Sequence, residues 1–205
     1  MVRTTKSIRT EVHALADREP IFAKVIDQHG IPGPRHSEPG PHTLLRTIVG
    51  QQVSVAAARS MWAKLEEAFG SPPDLARILK ASDEDLRFAG ISRQKAGYAR
   101  SLSELVLSRE LNLEALPADD EEAIALLTKI KGIGRWSAEI YLLFAEGRSD
   151  IWPAGDLAVQ VEIGRLFGLP EKPSEKVIRS LAESWRPYRG AAAILAWHSY
   201  NSAVL

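Results

Sequence analysis

From Leu44 onward the apolar residues of this chain recur three and four positions apart, in run after run, and no stretch alternates apolar with polar residues long enough to make a strand. That period predicts an all-α fold. Leu44, Leu45, Ile48 and Val49 lead into Val53, Ala57, Met61, Trp62, Leu65 and Phe69, as one long helix or two joined near Gly50, before Gly70, Pro72 and Pro73 stop it. Ser82-Asp83-Glu84-Asp85 reads as the capped start of a short helix ending by Gly90, and Ser92 as the cap of the next, through Tyr98, Leu102, Leu105 and Val106. An acidic first turn, Asp119 to Glu122, opens a helix through Ile124, Leu127 and Ile130, with Gly132 and Gly134 as its end. Trp136, Ile140, Leu143 and Phe144 stripe the following helix, Val159, Ile163, Leu166 and Phe167 another, and Val177, Ile178, Leu181 and Trp185 a third behind a Ser174 cap. A last helix runs from about Tyr188 past Trp197. Residues 31–41, rich in Pro and Gly, predict a loop, and residues 111–118 a shorter linker.

Composition excludes several classes. At 205 residues and 45% hydrophobic the chain is long enough to bury a core without staples, and zero cysteines remove thiol nucleophiles, Cys-ligated zinc and iron–sulfur clusters. The longest apolar run, Ala191 to Trp197, has seven residues against the roughly 20 that a membrane helix needs. The first twenty residues hold no apolar signal core, so a cytoplasmic location is expected. Lys and Arg number 26, as do Asp and Glu, so bulk charge neither demands nor excludes a polyanion and any nucleic-acid case must rest on local features.

The local feature of interest is helix, Gly132-Ile133-Gly134, helix. Two glycines permit a tight turn and leave uncovered N–H groups at a helix N-terminus, which suits a phosphate, although glycine also ends helices for structural reasons. Asp156 follows Pro-Ala-Gly and precedes an apolar helix, the position of an N-cap. Four of the five tryptophans fall in the last 70 residues; Trp185 reads as core, whereas Trp136 and Trp197 are open to either reading. The histidines at 13, 29, 36, 42 and 198 show no metal-ligand spacing.

LTKIKGIGRWSAEIYLLFA (127–145) followed by DIWPAGDLAVQ (150–160) resembles the helix-hairpin-helix Gly/Pro-Asp superfamily of DNA glycosylases. TIVGQQVSVAAA (47–58), AGISRQKAGYARSL (89–102) and WRPYRGAAAILAW (185–197) are similar to its 3-methyladenine DNA glycosylase II branch. Five motifs stand in family order over roughly residues 42–200. The resemblance implies a two-lobed helical fold, with a central lobe at 42–148 and a second at 1–41 plus 149–205, and a cleft between them. It implies a monomer that binds double-stranded DNA containing a damaged base, flips that base out and hydrolyses its N-glycosidic bond, most simply at alkylated purines.

The same resemblance distributes roles. Asp156 takes the place of the essential aspartate. Trp136, Ile140, Leu157 and Trp197 match pocket positions, where a tryptophan face attracts a cationic alkylpurine. Gln52 occupies the place of the residue that plugs the gap left by the flipped base, a place often held by a bulky apolar side chain; the alternative for Gln52 is a surface helix-end glutamine. Gly132, Gly134, Lys131 and Arg135 would meet the DNA backbone, within a basic patch that also takes in Arg93, Lys95 and Arg100. The carbonyls of Thr128, Ile130 and Gly132 would hold a Na+ or K+ ion. No other cofactor is expected, and an iron–sulfur cluster has no ligands here.

Two departures matter. Strand-cleaving relatives place a lysine where this chain has Trp136, so lyase activity is not expected. Lys131 replaces the usual hairpin proline. Two other readings remain open at this level: a glycosylase of the same fold for deaminated or etheno bases, and a hairpin module that grips DNA without catalysis. A purely structural helical protein, which predicts no affinity for DNA at any salt concentration, is the third.

Overall fold

In a computed structural model that describes residues 5–203, helices follow one another with short turns. They are α1 (Thr5–Arg18), α2 (Pro20–His29), α3 (Pro41–Gly50), α4 (Val55–Phe69), α5 (Leu75–Lys80), α6 (Asp83–Phe88), α7 (Arg93–Leu107), α8 (Asp120–Leu127), α9 (Arg135–Phe144), α10 (Leu157–Leu166), α11 (Glu175–Leu181), a 3₁₀ turn (Ala182–Trp185) and α12 (Arg189–Ala203). No strand occurs among the described residues, and no helix among them is long and apolar enough to cross a membrane. The chain divides into two compact units, Ser37–Tyr141 and Met1–His36 with Leu142–Leu205.

In the unit Ser37–Tyr141, α7 packs against α3, α5 and α6, and α3 against α4. Short polar residues set the helix starts. Ser54 accepts from the Ala57 N–H, Asp74 from Ala76, Ser92 from Lys95 and Asp119 from Glu122, and Ser82 with Asp85 completes a capping box, each cap contributing about 1 kcal/mol. Behind them Leu44, Leu45, Ile48, Leu65, Ile78, Leu86, Leu102 and Leu127 are fully buried. The stretch after Gly50 is a break, with two helices rather than one. Helix α8 stops at Leu127, short of the glycines expected to end it, because Ile130 and Ile133 turn back into the core while Ile133 N–H donates to the Ile130 carbonyl at 3.0 Å.

In the second unit α12 packs against α1, α2 and α10. Ala191, Ala192, Ala193 and Ala196 are all buried, and side chains this small let the neighbouring helices approach closely. Trp185 lies at the centre of this unit's core, with its ring 5.1 Å from Phe22, 5.4 Å from Trp152 and 5.7 Å from Phe167, centroid to centroid. Val177, assigned to the core stripe by period, is instead 48% exposed, since α11 ends after seven residues and tightens into the 3₁₀ turn that carries Trp185 inward.

Candidate functional site

The loop between α9 and α10 delivers one carboxylate to a defined place. Asp150 anchors its start, accepting from Arg189 Nη2 at 2.9 Å and from Arg186 Nη1 at 2.6 Å, while the Gly190 N–H donates to the Ser149 carbonyl. Trp152 Nε1 donates to the Ile178 carbonyl at 3.2 Å, Asp156 N–H to Pro153, and Gln160 Nε2 to Ala154 at 2.8 Å. Every turn of the loop is therefore tied to a helix. At its end Asp156 is the N-cap of α10: Oδ1 accepts from the Val159 N–H at 3.0 Å and, from α12, the Trp197 indole N–H at 3.0 Å. Two donors on one oxygen fix the plane of the carboxylate. The half-buried Trp197 ring lies 5.7 Å from Phe144, which in turn carries the Arg35 guanidinium over its face at 5.0 Å. Leu157, next to Asp156, is 62% exposed, an outlay of apolar surface that core packing does not explain.

The same unit holds a second carboxylate, the buried Glu162, paired with a half-exposed arginine. Arg165 Nη2 donates to Glu162 at 2.6 Å and to Ser199 at 3.2 Å. Burial alone would raise the Glu162 pKa; hydrogen bonds from Arg165 and Ser199, with the charges of Arg165 and His29, outweigh it and hold the group below the ordinary carboxylate value.

In the other unit the hairpin and the turn between α3 and α4 are joined. Gly132 has φ +84°, and a Cβ built there would come within 2.2 Å of the Tyr98 ring, so glycine is required both by conformation and by space. Gly134 has nothing within 4 Å of its would-be Cβ and accepts the first bond of α9 from Ala138 at 3.0 Å. Lys131 N–H donates to Ser101 Oγ at 3.2 Å, tying the hairpin to α7. Gln51 Nε2 donates to the Gly132 carbonyl at 2.8 Å, and Lys95 Nζ to the Val49 carbonyl at 2.7 Å. Burial lowers the Lys95 pKa. Just past these tethers Gln52 is exposed at φ +55°, a left-handed conformation that costs a non-glycine residue about 1–2 kcal/mol. Strain of this kind collects where a side chain must be aimed. Trp136, 47% exposed, and the partly buried Ile140 lie on α9 in this unit, so the four expected pocket residues divide between the units, two in each.

The basic patch is more committed than the sequence suggests. Arg135 pairs with Glu121 at 2.8 Å through Nη1 and with the buried Glu139 at 2.9 Å through Nε, and hydrogen bonding to Glu121 raises its pKa further. Arg100 pairs with Asp83 at 2.7 Å. A phosphate at either arginine competes with carboxylates already in place. Of the three expected cation ligands, the Ile130 carbonyl already accepts from Ile133 and the Gly132 carbonyl from Gln51. Each keeps a second lone pair, so the residues fit a monovalent cation only as the second occupant of those oxygens. Sequence spacing gave no sign of the Gln51 tether, because its two ends lie 81 residues apart. Phe144 and Arg35 were likewise not legible as neighbours of the Asp156 and Trp197 pair.

Residues 45–187 match the model of the HhH-GPD superfamily of base excision DNA repair proteins. The chain belongs to that superfamily. Within it the match falls in the DNA-3-methyladenine glycosylase branch. The alkylbase DNA glycosidase-like protein mag2 of Schizosaccharomyces pombe is 32% identical over 171 residues, covering 79% of each chain. A DNA-3-methyladenine glycosidase from Bacillus halodurans superposes with a TM-score of 0.86 at 30% identity, covering 95% of this chain and 90% of that one. The 3-methyladenine DNA glycosylase Mag1 of Schizosaccharomyces pombe, in complex with abasic DNA, superposes with a TM-score of 0.78 at 27% identity, over 96% and 97%. The chain spans 57% of the length of a Bacillus subtilis relative to which it is 30% identical.

Proposed function

We infer that this HhH-GPD protein is a monofunctional DNA glycosylase that removes alkylated bases, 3-methyladenine and related N3- and N7-alkylpurines, from double-stranded DNA and leaves an abasic site. One observation carries the reading. Asp156, in the family's register, is a helix cap whose Oδ1 is held by a main-chain N–H and an indole N–H, so its charge is aimed by the fold rather than by solvent. Cleaving an N-glycosidic bond develops positive charge on the deoxyribose, and a fixed carboxylate lowers that barrier electrostatically while it orients the attacking water. An alkylated purine is cationic, and the faces of Trp197 and Trp136 attract it, with Leu157 and Ile140 supplying apolar surface. Gln52 fills the gap in the stack, and the amides after Gly132 and Gly134, with Lys131 and Arg135, position the backbone without reading sequence. A Na+ or K+ at the carbonyls of Thr128, Ile130 and Gly132 would add positive charge beside a phosphate. Trp136 in place of a lysine leaves no Schiff-base nucleophile at that position, in keeping with hydrolysis without strand cleavage. The protein acts as a cytoplasmic monomer on this reading.

The test is release of labelled bases from methylated duplex DNA. Free 3-methyladenine is expected with the DNA strand left intact. Binding to that DNA with no base released would replace the glycosylase by a non-catalytic DNA-binding module, and release confined to deaminated or etheno bases would move the specificity.

A further inference from the structure

The hairpin and the turn carrying Gln52 lie far apart in sequence, yet two side-chain bonds tie this segment to the rest of the unit, one at the end of α3 and one at the hairpin. Lys95, in the first turn of α7, donates to the carbonyl of Val49 at 2.7 Å. Gln51 donates through Nε2 to the carbonyl of Gly132 at 2.8 Å. Only the nitrogen end of the amide can face a carbonyl, so the orientation of Gln51 is set by chemistry. Gly132 in turn cannot move toward Tyr98, whose ring fills the space where a Cβ would stand, and the next residue back, Lys131, is tied through its N–H to Ser101. The residue immediately after Gln51 is the exposed, left-handed Gln52, whose conformation persists only if its surroundings enforce it.

We propose that Gln51 is a positioning residue: its amide, held by the Gly132 carbonyl, fixes the backbone that aims Gln52, so that the hairpin's hold on the DNA backbone and the insertion of Gln52 into the stack occur as one event. The inference rests on the reading of Gln52 as the plugging residue. Its chemistry is that of a single neutral hydrogen bond whose donor lies in the turn and whose acceptor lies in the hairpin. Loss of the donor breaks the bond between the turn and the hairpin and leaves Gln52 freer to relax from its left-handed conformation. Affinity for undamaged DNA, which depends on phosphate contacts, is then little changed, while the step that inserts Gln52 slows.

The experiment uses a duplex in which 2-aminopurine faces a tetrahydrofuran abasic-site analogue, so that insertion is read by fluorescence and no bond cleavage is needed. Gln51→Met keeps the length of the side chain and removes the donor; Gln51→Glu keeps the shape and sets a carboxylate against the carbonyl. Both are expected to slow insertion about tenfold by stopped flow, with the Kd for undamaged duplex within about twofold of wild type. In a Gln52→Ala background the same substitutions are expected to change nothing further, since Gln51 acts through Gln52. Wild-type insertion rates in both variants, or an equal loss in both backgrounds, would overturn the proposal, the second by showing a role in local folding only. Wild-type protein that releases 3-methyladenine but gives no insertion signal would overturn it alone, whereas a signal without base release would overturn the glycosylase reading alone.

Discussion

Asp156 caps α10 and, on the proposed mechanism, also supplies the catalytic charge, and two substitutions separate these roles. The cap bond is made to the acceptor Oδ1, which takes the Val159 and Trp197 N–H groups. Asparagine keeps that oxygen and caps helices about as well as aspartate, so Asp156→Asn is expected to leave the melting temperature within about 2 °C of wild type. Alanine removes the acceptor. It forfeits about 1 kcal/mol of capping and strands a half-buried indole N–H for about 1 kcal/mol more, which in a chain of this size lowers the melting temperature by about 4–8 °C. On the proposed mechanism it is the negative charge that acts in catalysis. A carboxylate about 4 Å from the developing cation, at an effective dielectric of about 20, contributes about 4 kcal/mol, or about a thousandfold in rate. Single-turnover release of 3-methyladenine from methylated duplex DNA, with calorimetry on the same samples, should therefore show both variants reduced about a thousandfold and only the alanine variant melting early. Asp156→Asn active within tenfold of wild type would refute the electrostatic argument. An asparagine variant as unstable as the alanine one would refute the assignment of the cap to the acceptor oxygen.

Other expectations follow from the same geometry. Trp197→Phe keeps a ring against Phe144 but removes the donor to Asp156, and single-turnover base release should fall about ten- to hundredfold, the value of one hydrogen bond to a charged group; an unchanged rate would assign Trp197 to stacking alone. Gly132→Ala collides with the Tyr98 ring in a left-handed conformation and should lower both the melting temperature and DNA affinity, whereas Gly134→Ala, with open space around it, should leave stability within about 0.5 kcal/mol, as calorimetry and fluorescence anisotropy can compare. The folded-state pKa of Glu162 is depressed below its ordinary 4.5, so the stability it confers is complete above about pH 4.5 and is lost as pH falls through the lower folded-state value; urea titrations across that window should show a shallower decline in Glu162→Gln. Replacing Na+ and K+ by tetramethylammonium at constant ionic strength should weaken DNA binding if the hairpin carbonyls hold a cation, and an unchanged Kd would dispense with it.

What lay legible in the sequence was mostly local. Helical period identified the class because each helix has to turn one apolar stripe inward, and the caps at Ser82, Ser92, Asp156 and Ser174 are bonds spanning three residues, which one reads from neighbours alone. Asp156 was recognisable as a cap and, through its motif, as the candidate catalytic carboxylate. The errors arose where packing overrode period: α8 stops at Leu127 since Ile130 and Ile133 serve the core from a turn, and Val177 faces outward since its helix is too short to bury two sides.

Tertiary structure alone decided which partner each functional group meets. Trp197 donates to Asp156 across 41 residues and Gln51 to Gly132 across 81, distances at which spacing in the chain carries no information about proximity. Charge was decided the same way. Arg135 and Arg100 counted as open cations in the sequence, and they are paired in the folded chain because Glu121, Glu139 and Asp83 come within hydrogen-bonding reach only when the helices pack. The residue types that the chemistry needs are thus written in the chain, while their aim depends on single hydrogen bonds that exist only once remote helices have met.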